Sequence, residues 1–308
     1  MTELSGLFEL QFLMLVDLGI GYFACKMKLA KAEEREVLAK LVVYFFLPCN
    51  IVSSFEIEQN PDLLNKMLMI FVISCLIQLS CSIINRLCYQ QSDQVRKPVL
   101  QYATACSNAG FMGNAVAEGI YGQLGLMLAQ IYLVPARIIM WSAGVAYFEG
   151  RKGNTIKTIQ KVMTHPCVIA VMIGLIRLLL NIRFPFAVEQ TMTSLGRCAT
   201  PLIMIYIGMI IAETGFRKLL NRETIRYAVF RLLVIPGVAL VIVKTLQADV
   251  VTSGISVLLA AMPAGTTTAV LAGQYQADEE LAADIIVLTT LMSIIVLPLW
   301  VIMVNSAM

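Results

Sequence analysis

Ten apolar segments, each long enough to cross a bilayer as a helix, dominate this sequence and restrict what it can fold into. A helix rises 1.5 Å per residue, so about 20 residues cross the roughly 30 Å hydrocarbon layer. In lipid every backbone amide and carbonyl must be paired within the protein, which helices achieve on their own. We therefore expect an all-α membrane protein of ten transmembrane helices, at residues 7–29, 37–55, 64–85, 98–121, 124–148, 166–182, 187–212, 224–243, 253–274 and 281–304.

Composition supports a lipid environment and excludes several classes of function. The 308 residues are 58% hydrophobic and only 14% charged, which is too little polar surface to coat a globular domain. The net charge of +3 is spread over short connections, so no nucleic-acid-binding surface is indicated. A single histidine excludes the H-E-x-x-H zinc proteases, and neither a G-x-S-x-G elbow nor a Walker loop occurs. We expect no enzyme, no catalytic residue, no metal site and no cofactor.

The placement of lysine and arginine sets the expected orientation. The connections after the first, third, fifth, seventh and ninth segments carry 16 of these residues, and the opposite side carries four. Because cytoplasmic loops hold the excess of positive charge, both termini are predicted to lie outside the cytoplasm. The chain is then a multi-pass protein of the plasma membrane, with the lipid bilayer around it.

Two of the ten segments are interrupted by polar residues, glycine and proline. The interruptions, at residues 107–114 and 262–268, lie about half the chain apart. Pro48 and Pro201 are similarly separated, and so are Gly122 and Gly273. This periodicity predicts two repeats, residues 1–155 and 156–308. Since five segments is an odd number, the second repeat is expected to enter the membrane in the opposite orientation.

The two interruptions are expected to meet in the middle of the membrane. Each second half-helix starts there with unpaired amides and the positive end of its dipole, an arrangement that attracts an anion. This predicts a secondary transporter for a small organic anion. The alternative, that glycine and proline merely allow kinks and close packing, stays open. The candidate substrate-binding residues are Asn108, Gly110, Gly113, Asn114, Pro263, Gly265, Thr266, Thr267 and Thr268.

Ionisable residues inside the segments are costly and need a partner or a task. Arg137 either clamps a substrate carboxylate or forms a buried ion pair with an acid such as Asp17. Glu118 either carries a coupling proton or is an exposed residue on the outer side. Gln274 is a candidate for gating the cytoplasmic path. Asp284 is expected to complement the start of the last helix.

Several motifs of the chain resemble those of the auxin efflux carrier family, over nearly the whole sequence. The most specific is Met262-Pro263-Ala264-Gly265 with Ala272-Gly273-Gln274-Tyr275. The others are Leu47-Pro48, residues 108–114 with Tyr121-Gly122, His165-Pro166 with Ile173-Gly174-Leu175-Ile176, and Thr200-Pro201 with Ile207-Gly208.

The resemblance implies a scaffold of helices 1, 2, 6 and 7 and a mobile transport domain of helices 3–5 and 8–10, with elevator-type alternating access. It also implies that Asn108 holds the substrate carboxylate and that Pro263 is the first crossover proline. Two positions depart from the family pattern, because Ala115 and Thr268 stand where prolines are found in other members. A microbial-type member is expected, since only a short basic connection precedes the sixth segment.

The substrate class remains broad at this level. An auxin-like acid and a dicarboxylate such as malonate both fit, and coupling to Na⁺, coupling to H⁺ and uniport are all open. An anion channel and an ion-coupled symporter of the bile-acid type are the alternative functions. A homodimer is one assembly that the chain can adopt.

Overall fold

The computed structural model describes residues 2–30, 32–56, 61–90, 93–149, 160, 163–164, 166–213 and 222–307. These ranges are helical apart from turns, short extended stretches and one isolated β-bridge. The α-helices are α1 Thr2–Lys26, α2 Ala32–Leu41, α3 Leu47–Ser54, α4 Pro61–Cys88, α5 Lys97–Ala105, α6 Met112–Ile139, α7 Val145–Glu149, α8 Pro166–Leu180, α9 Phe186–Arg197, α10 Ala199–Glu213, α11 Arg222–Val229, α12 Ile235–Thr245, α13 Val250–Ala260, α14 Thr267–Gln274 and α15 Glu279–Ala307.

Several helices have the length and composition of membrane-spanning segments. Four stretches are long and apolar enough to cross a bilayer, namely Asp62–Cys88, Met112–Ile139, Arg222–Thr245 and Glu279–Ser306. Shorter apolar helices cover Val42–Ser54, Pro166–Leu180 and Val250–Ala260. The prediction of an all-helical membrane protein is thus confirmed, while the number of ten spans and the inversion of the repeats stay predictions.

Two short π-helices join α-helices just before a proline. Val42–Phe46 precedes Pro48, and Phe230–Val234 precedes Pro236. Proline has no amide hydrogen to donate to the carbonyl four residues earlier, and its ring clashes with that carbonyl. A locally wider turn relieves the clash. For Pro236 the affected carbonyl belongs to Leu232, and it accepts a hydrogen bond from Trp300 Nε1 at 2.8 Å.

A sharp turn divides α6. Gly122 has φ 64° and ψ −152°, a conformation that residues with a side chain rarely adopt. Nothing lies within 4 Å of the position that a Cβ would take. Glycine is therefore required here by the backbone conformation and not by steric crowding. The turn coincides with the boundary predicted between the fourth segment, ending at 121, and the fifth, starting at 124.

The chain forms two compact units, each assembled from three stretches of sequence. The first unit comprises Met1–Asn65, Asn114–Gln130 and Met163–Gly215. In it the backbones of α1 and α10 are in direct contact. Gly21 faces the carbonyl of Ile205, and Gly208 faces the carbonyl of Leu18. Small residues permit such close approach between membrane helices. Helix α3 packs against α8 and α9 in the same unit.

The second unit comprises Lys66–Gly113, Ile131–Val162 and Phe216–Met308, and it contains residues 107–113 of the first interruption and all of the second. Helix α15 packs against α11, α13 and α14. One core cluster of this unit joins α5 to α15 through Val99, Ala103, Ala282 and Ile285, all of them buried. The two units group stretches of the chain that contact one another. The predicted division at residue 155 follows the sequence repeat instead, and it stays a prediction.

Candidate solute-binding site

Both interruptions are true breaks in their helices. Helix α5 ends at Ala105, and α6 begins only at Met112 after the short 3₁₀-helix Asn108–Gly110. Helix α13 ends at Ala260, and α14 begins at Thr267.

The two breaks meet and pair through their backbones. Ser107 and Ala264 form an antiparallel bridge. The amide of Asn108 donates to the carbonyl of Pro263 at 2.8 Å, and the amide of Gly265 donates to the carbonyl of Cys106 at 3.0 Å. Each break therefore satisfies backbone groups of the other, which buried non-helical backbone requires. The two interruptions thus meet, while their place in the middle of the membrane stays a prediction. We call this region, residues 106–113 and 261–268, the crossing.

Glycine has different roles at three positions of the crossing. A Cβ on Gly265 would lie 2.8 Å from the carbonyl oxygen of Cys106, so the backbones can approach only without it. A Cβ on Gly113 would lie 2.7 Å from the Leu259 side chain. At Gly110 nothing lies within 4 Å. Gly265 is thus the glycine that the backbone pairing itself requires.

The side chain of Asn108 is buried with its hydrogen-bonding capacity unused. The residue is 2% exposed, and neither Nδ2 nor Oδ1 has a partner in the described part of the chain. The hydroxyl of Thr268 is also buried there without a hydrogen bond. Leaving such groups unpaired costs about 1–3 kcal/mol each. The crossing therefore holds one amide and one hydroxyl that a bound solute can satisfy.

Two helix N-termini adjoin these groups. Helices α6 and α14 begin four residues after Asn108 and Pro263 respectively, and no side chain caps either helix at Phe111 or Thr266. The N-termini of both helices thus carry a partial positive charge. In α14 the amides of Thr268 and Ala269 already donate to the carbonyls of Gly265 and Thr266, so the charge rather than free amides is what this helix offers. Together with the Asn108 amide, this arrangement suits a carboxylate.

The remaining predicted residues have varied surroundings. Thr267 accepts a hydrogen bond from the Tyr102 hydroxyl at 3.1 Å, and Thr266 is 8% exposed. Asn114 is buried in the first turn of α6. Gln274 ends α14, and its side chain is outside the described part of the structure.

Sequence reasoning missed two residues that support the crossing. Thr289 in α15 accepts a hydrogen bond from the amide of Ala264 at 3.1 Å and donates to the carbonyl of Ile285 at 2.6 Å. Tyr102 fixes Thr267 and packs on Phe148, which stacks on Tyr275 with ring centroids 5.9 Å apart. A signal for Thr289 was present, since hydroxyl residues are unusual in such an apolar helix. None was present for Tyr102.

The predicted ionisable residues fall in different parts of the molecule. Arg137 belongs to the second unit and is 6% exposed, and Asp17 belongs to the first unit and is half-buried. In the first unit Glu118 accepts a hydrogen bond from Asn50 Nδ2 at 3.2 Å. Both interpretations of Arg137, a contact with a substrate carboxylate and a buried ion pair with an acid such as Asp17, therefore stay open.

The start of α15 corrects one prediction. Asp278 and not Asp284 complements it, because Asp278 Oδ1 accepts from the amide of Leu281 at 2.9 Å. Asp284 lies inside the helix and is buried. Among the described residues, no group of three or more His, Cys, Asp or Glu side chains could hold a metal ion.

Broken helices that pair through their backbones, in a chain with several helices able to span a membrane, are typical of membrane transport proteins. Residues 7–165 and 154–301 match the sequence profile of the family described as membrane transport protein. The chain belongs to this family, which is the auxin efflux carrier family that its motifs resemble.

Relatives are found among archaea and bacteria. An uncharacterized transporter of Methanocaldococcus jannaschii is 23% identical over 95% of this chain and 97% of its own length. One from Methanothermobacter thermautotrophicus is 30% identical over 65% of this chain and 66% of its own length. A protein of Rhizobium meliloti that is named as a candidate malonate transporter is 24% identical over 96% of this chain and 93% of its own length.

Proposed function

We propose that this protein is a secondary carrier of a small organic anion, which binds at the crossing. The observation that carries the proposal is the buried amide of Asn108, which lacks hydrogen-bond partners within the described residues and adjoins two uncapped helix N-termini. A carboxylate accepts hydrogen bonds and carries negative charge, so it complements both features.

The proposal includes the architecture that the sequence predicts. Two inverted repeats of five spans, at residues 1–155 and 156–308, would place the broken helices at the bilayer centre. Helices 1, 2, 6 and 7 would form the scaffold, and helices 3–5 and 8–10 would carry the solute by elevator-type alternating access. Both termini would lie outside the cytoplasm of a cell whose plasma membrane holds the protein.

The proposed contacts with the solute come mainly from residues of the crossing. Asn108 donates to the carboxylate, and Thr268 offers its hydroxyl. Gly113, Thr266 and Thr267 contribute through the first turns of α6 and α14. Gly110, Pro263 and Gly265 set the backbone course of the crossing, and Asn114 and Arg137 are further candidates for binding the carboxylate. Malonate is a suitable first substrate to test because one relative is named for it.

Asn108→Ala should remove most of the affinity while leaving the fold intact. A buried hydrogen bond to a charged group contributes about 1.5–3 kcal/mol, which is roughly 10- to 150-fold in affinity. The measurement is saturable uptake and counterflow of a radiolabelled carboxylate in proteoliposomes. Counterflow would support a carrier, whereas ohmic single-channel steps would support an anion channel.

Asn85→Ala provides a matched control in the same unit. Asn85 Nδ2 donates to the carbonyl of Gln101 at 2.8 Å and to the Tyr147 hydroxyl at 3.3 Å. Losing these bonds should lower thermal stability and leave the affinity unchanged, the reverse of the Asn108 pattern. Unchanged uptake in Asn108→Ala would contradict the assignment.

Coupling is proposed to involve the first unit. Glu118 is mostly buried and receives one hydrogen bond, from Asn50. A carboxyl in such surroundings can take up and release a proton as its environment changes. Asp17 and Gln274 are the other candidates for coupling or gating. If protons are coupled through Glu118, Glu118→Gln should retain counterflow and lose acceleration by a pH gradient; an unchanged response to the gradient would reject the role.

A further inference from the structure

The second unit buries an arginine for which the described residues provide neither an ion pair nor a hydrogen bond. Arg231 is 2% exposed, and its Nε and Nη1 atoms are buried without partners. An arginine side chain is a permanent cation in proteins. A buried charge is costly unless an opposite charge compensates it. An anion that enters this unit would therefore be stabilised by Arg231.

One buried charge of this unit has no counter-charge among the described residues. Within the described ranges, the buried charged residues of the second unit are Arg137, Arg231 and Asp284. Arg137 and Asp284 both have interaction partners. Arg231 forms no ion pair or hydrogen bond with a described residue.

Arg231 lies one helical turn after a residue that packs with the crossing. Tyr227, four residues earlier in the sequence, belongs to the buried cluster that includes Ala264 of the crossing. Arg231 itself is part of the π-helix Phe230–Val234, and such helices occur frequently at functional sites. In a medium of low dielectric constant, a charge at such a place influences a solute without touching it.

We propose that Arg231 is a specificity-determining residue, which makes the crossing prefer a doubly charged anion over a singly charged one. The N-termini of α6 and α14 each contribute about half a positive charge. Together they compensate the negative charge of one carboxylate, and the charge of Arg231 compensates that of a second. This inference rests on the proposed function, and it assigns to Arg231 an effect through space and no direct contact with the solute.

The test compares acids of equal carbon number that differ by one charge, malonate with propionate and succinate with butyrate, at pH 7.5. Dissociation constants of the purified protein are obtained from ligand-dependent thermal stabilisation. Arg231→Gln should weaken binding of each dicarboxylate on the order of tenfold, within the usual range of coupling between sites, and leave the monocarboxylates nearly unchanged. Arg231→Lys should keep the preference.

Arg226→Gln is the matched control, because Arg226 lies in α11 just before Arg231 and is exposed. It should leave both affinities unchanged. Equal weakening of both acid classes in Arg231→Gln, or no weakening, would overturn the role of Arg231 while leaving the proposed function intact. Should Arg231→Gln fail to fold, a wild-type protein with no preference for dicarboxylates would overturn it equally. Failure of the proposed function would show instead as unchanged affinity in Asn108→Ala.

Discussion

Replacing Gly265 by alanine is expected to abolish transport and to lower thermal stability. The added Cβ would lie 2.8 Å from the carbonyl oxygen of Cys106 and 3.2 Å from that of Ser107. Both atoms belong to backbone that is itself held in the crossing, so neither can move without breaking the pairing. Overpacking of this kind costs about 1–3 kcal/mol. The hydrogen bond from the Gly265 amide to Cys106 would be lost as well.

Gly110→Ala is the control for this prediction. It adds the same methyl group to the same crossing, where nothing lies within 4 Å. It should preserve the melting temperature, because the added methyl group meets no neighbouring atom. The two variants are compared by melting of the detergent-purified protein and by uptake in proteoliposomes. Wild-type uptake by Gly265→Ala would show that the observed backbone pairing is not needed for transport.

Replacing Arg177 by methionine is expected to destabilise the first unit strongly. The Arg177 side chain is 4% exposed and forms a two-pronged ion pair with Glu189, with hydrogen bonds of 2.7 and 3.2 Å. It also donates to the carbonyl of Val52, and its guanidinium lies 4.8 Å from the centre of the Phe184 ring. Removing one member of a fully buried pair costs about 3–5 kcal/mol. The Glu189 side chain is 16% exposed, so the expected cost lies at or below the lower end of this range.

A second carboxylate makes this loss more severe. Glu56 lies 3.5 Å from Arg177 Nη2, and its own burial together with a hydrogen bond to Glu189 raises the pKa of Glu56. The two acids therefore share one guanidinium, and without it they repel each other.

Two further variants separate charge from packing at Arg177. Arg177 and Arg183 line one groove with a volume of about 260 Å³. Arg183 is exposed, so Arg183→Met should change the melting temperature little. The double variant Arg177→Met with Glu189→Gln should recover part of the lost stability, because it removes the uncompensated acid. Equal melting temperatures for Arg177→Met and Arg183→Met would contradict the importance of the ion pair.

The sequence identified the crossing because its signal is local. Glycine, proline and asparagine stand out inside an apolar segment, and the second occurrence half a chain later shows that the two belong together. The turn at Gly122 and the π-helices before Pro48 and Pro236 likewise follow from single residues. Such features depend on backbone chemistry alone, so they can be inferred without knowing which helices are neighbours.

Features that depend on tertiary contacts were not predicted. Thr289 is 25 residues from Ala264, and Tyr102 is 165 residues from Thr267. Arg177 and Glu189 flank a short connection, and nothing in their spacing distinguishes a buried ion pair from two solvated charges. Arg231 could be recognised as a charge in an apolar segment, but only the structure shows that the described residues give it no acidic partner.

The central claim is that the amide of Asn108 holds a carboxylate at the crossing. A high-resolution cryo-EM map of the protein saturated with malonate, compared with a map of the protein alone, tests this claim most directly. The account predicts solute density within hydrogen-bonding distance of the Asn108 side chain, next to the first turns of α6 and α14. Solute density elsewhere, with the surroundings of Asn108 identical in both maps, would contradict it.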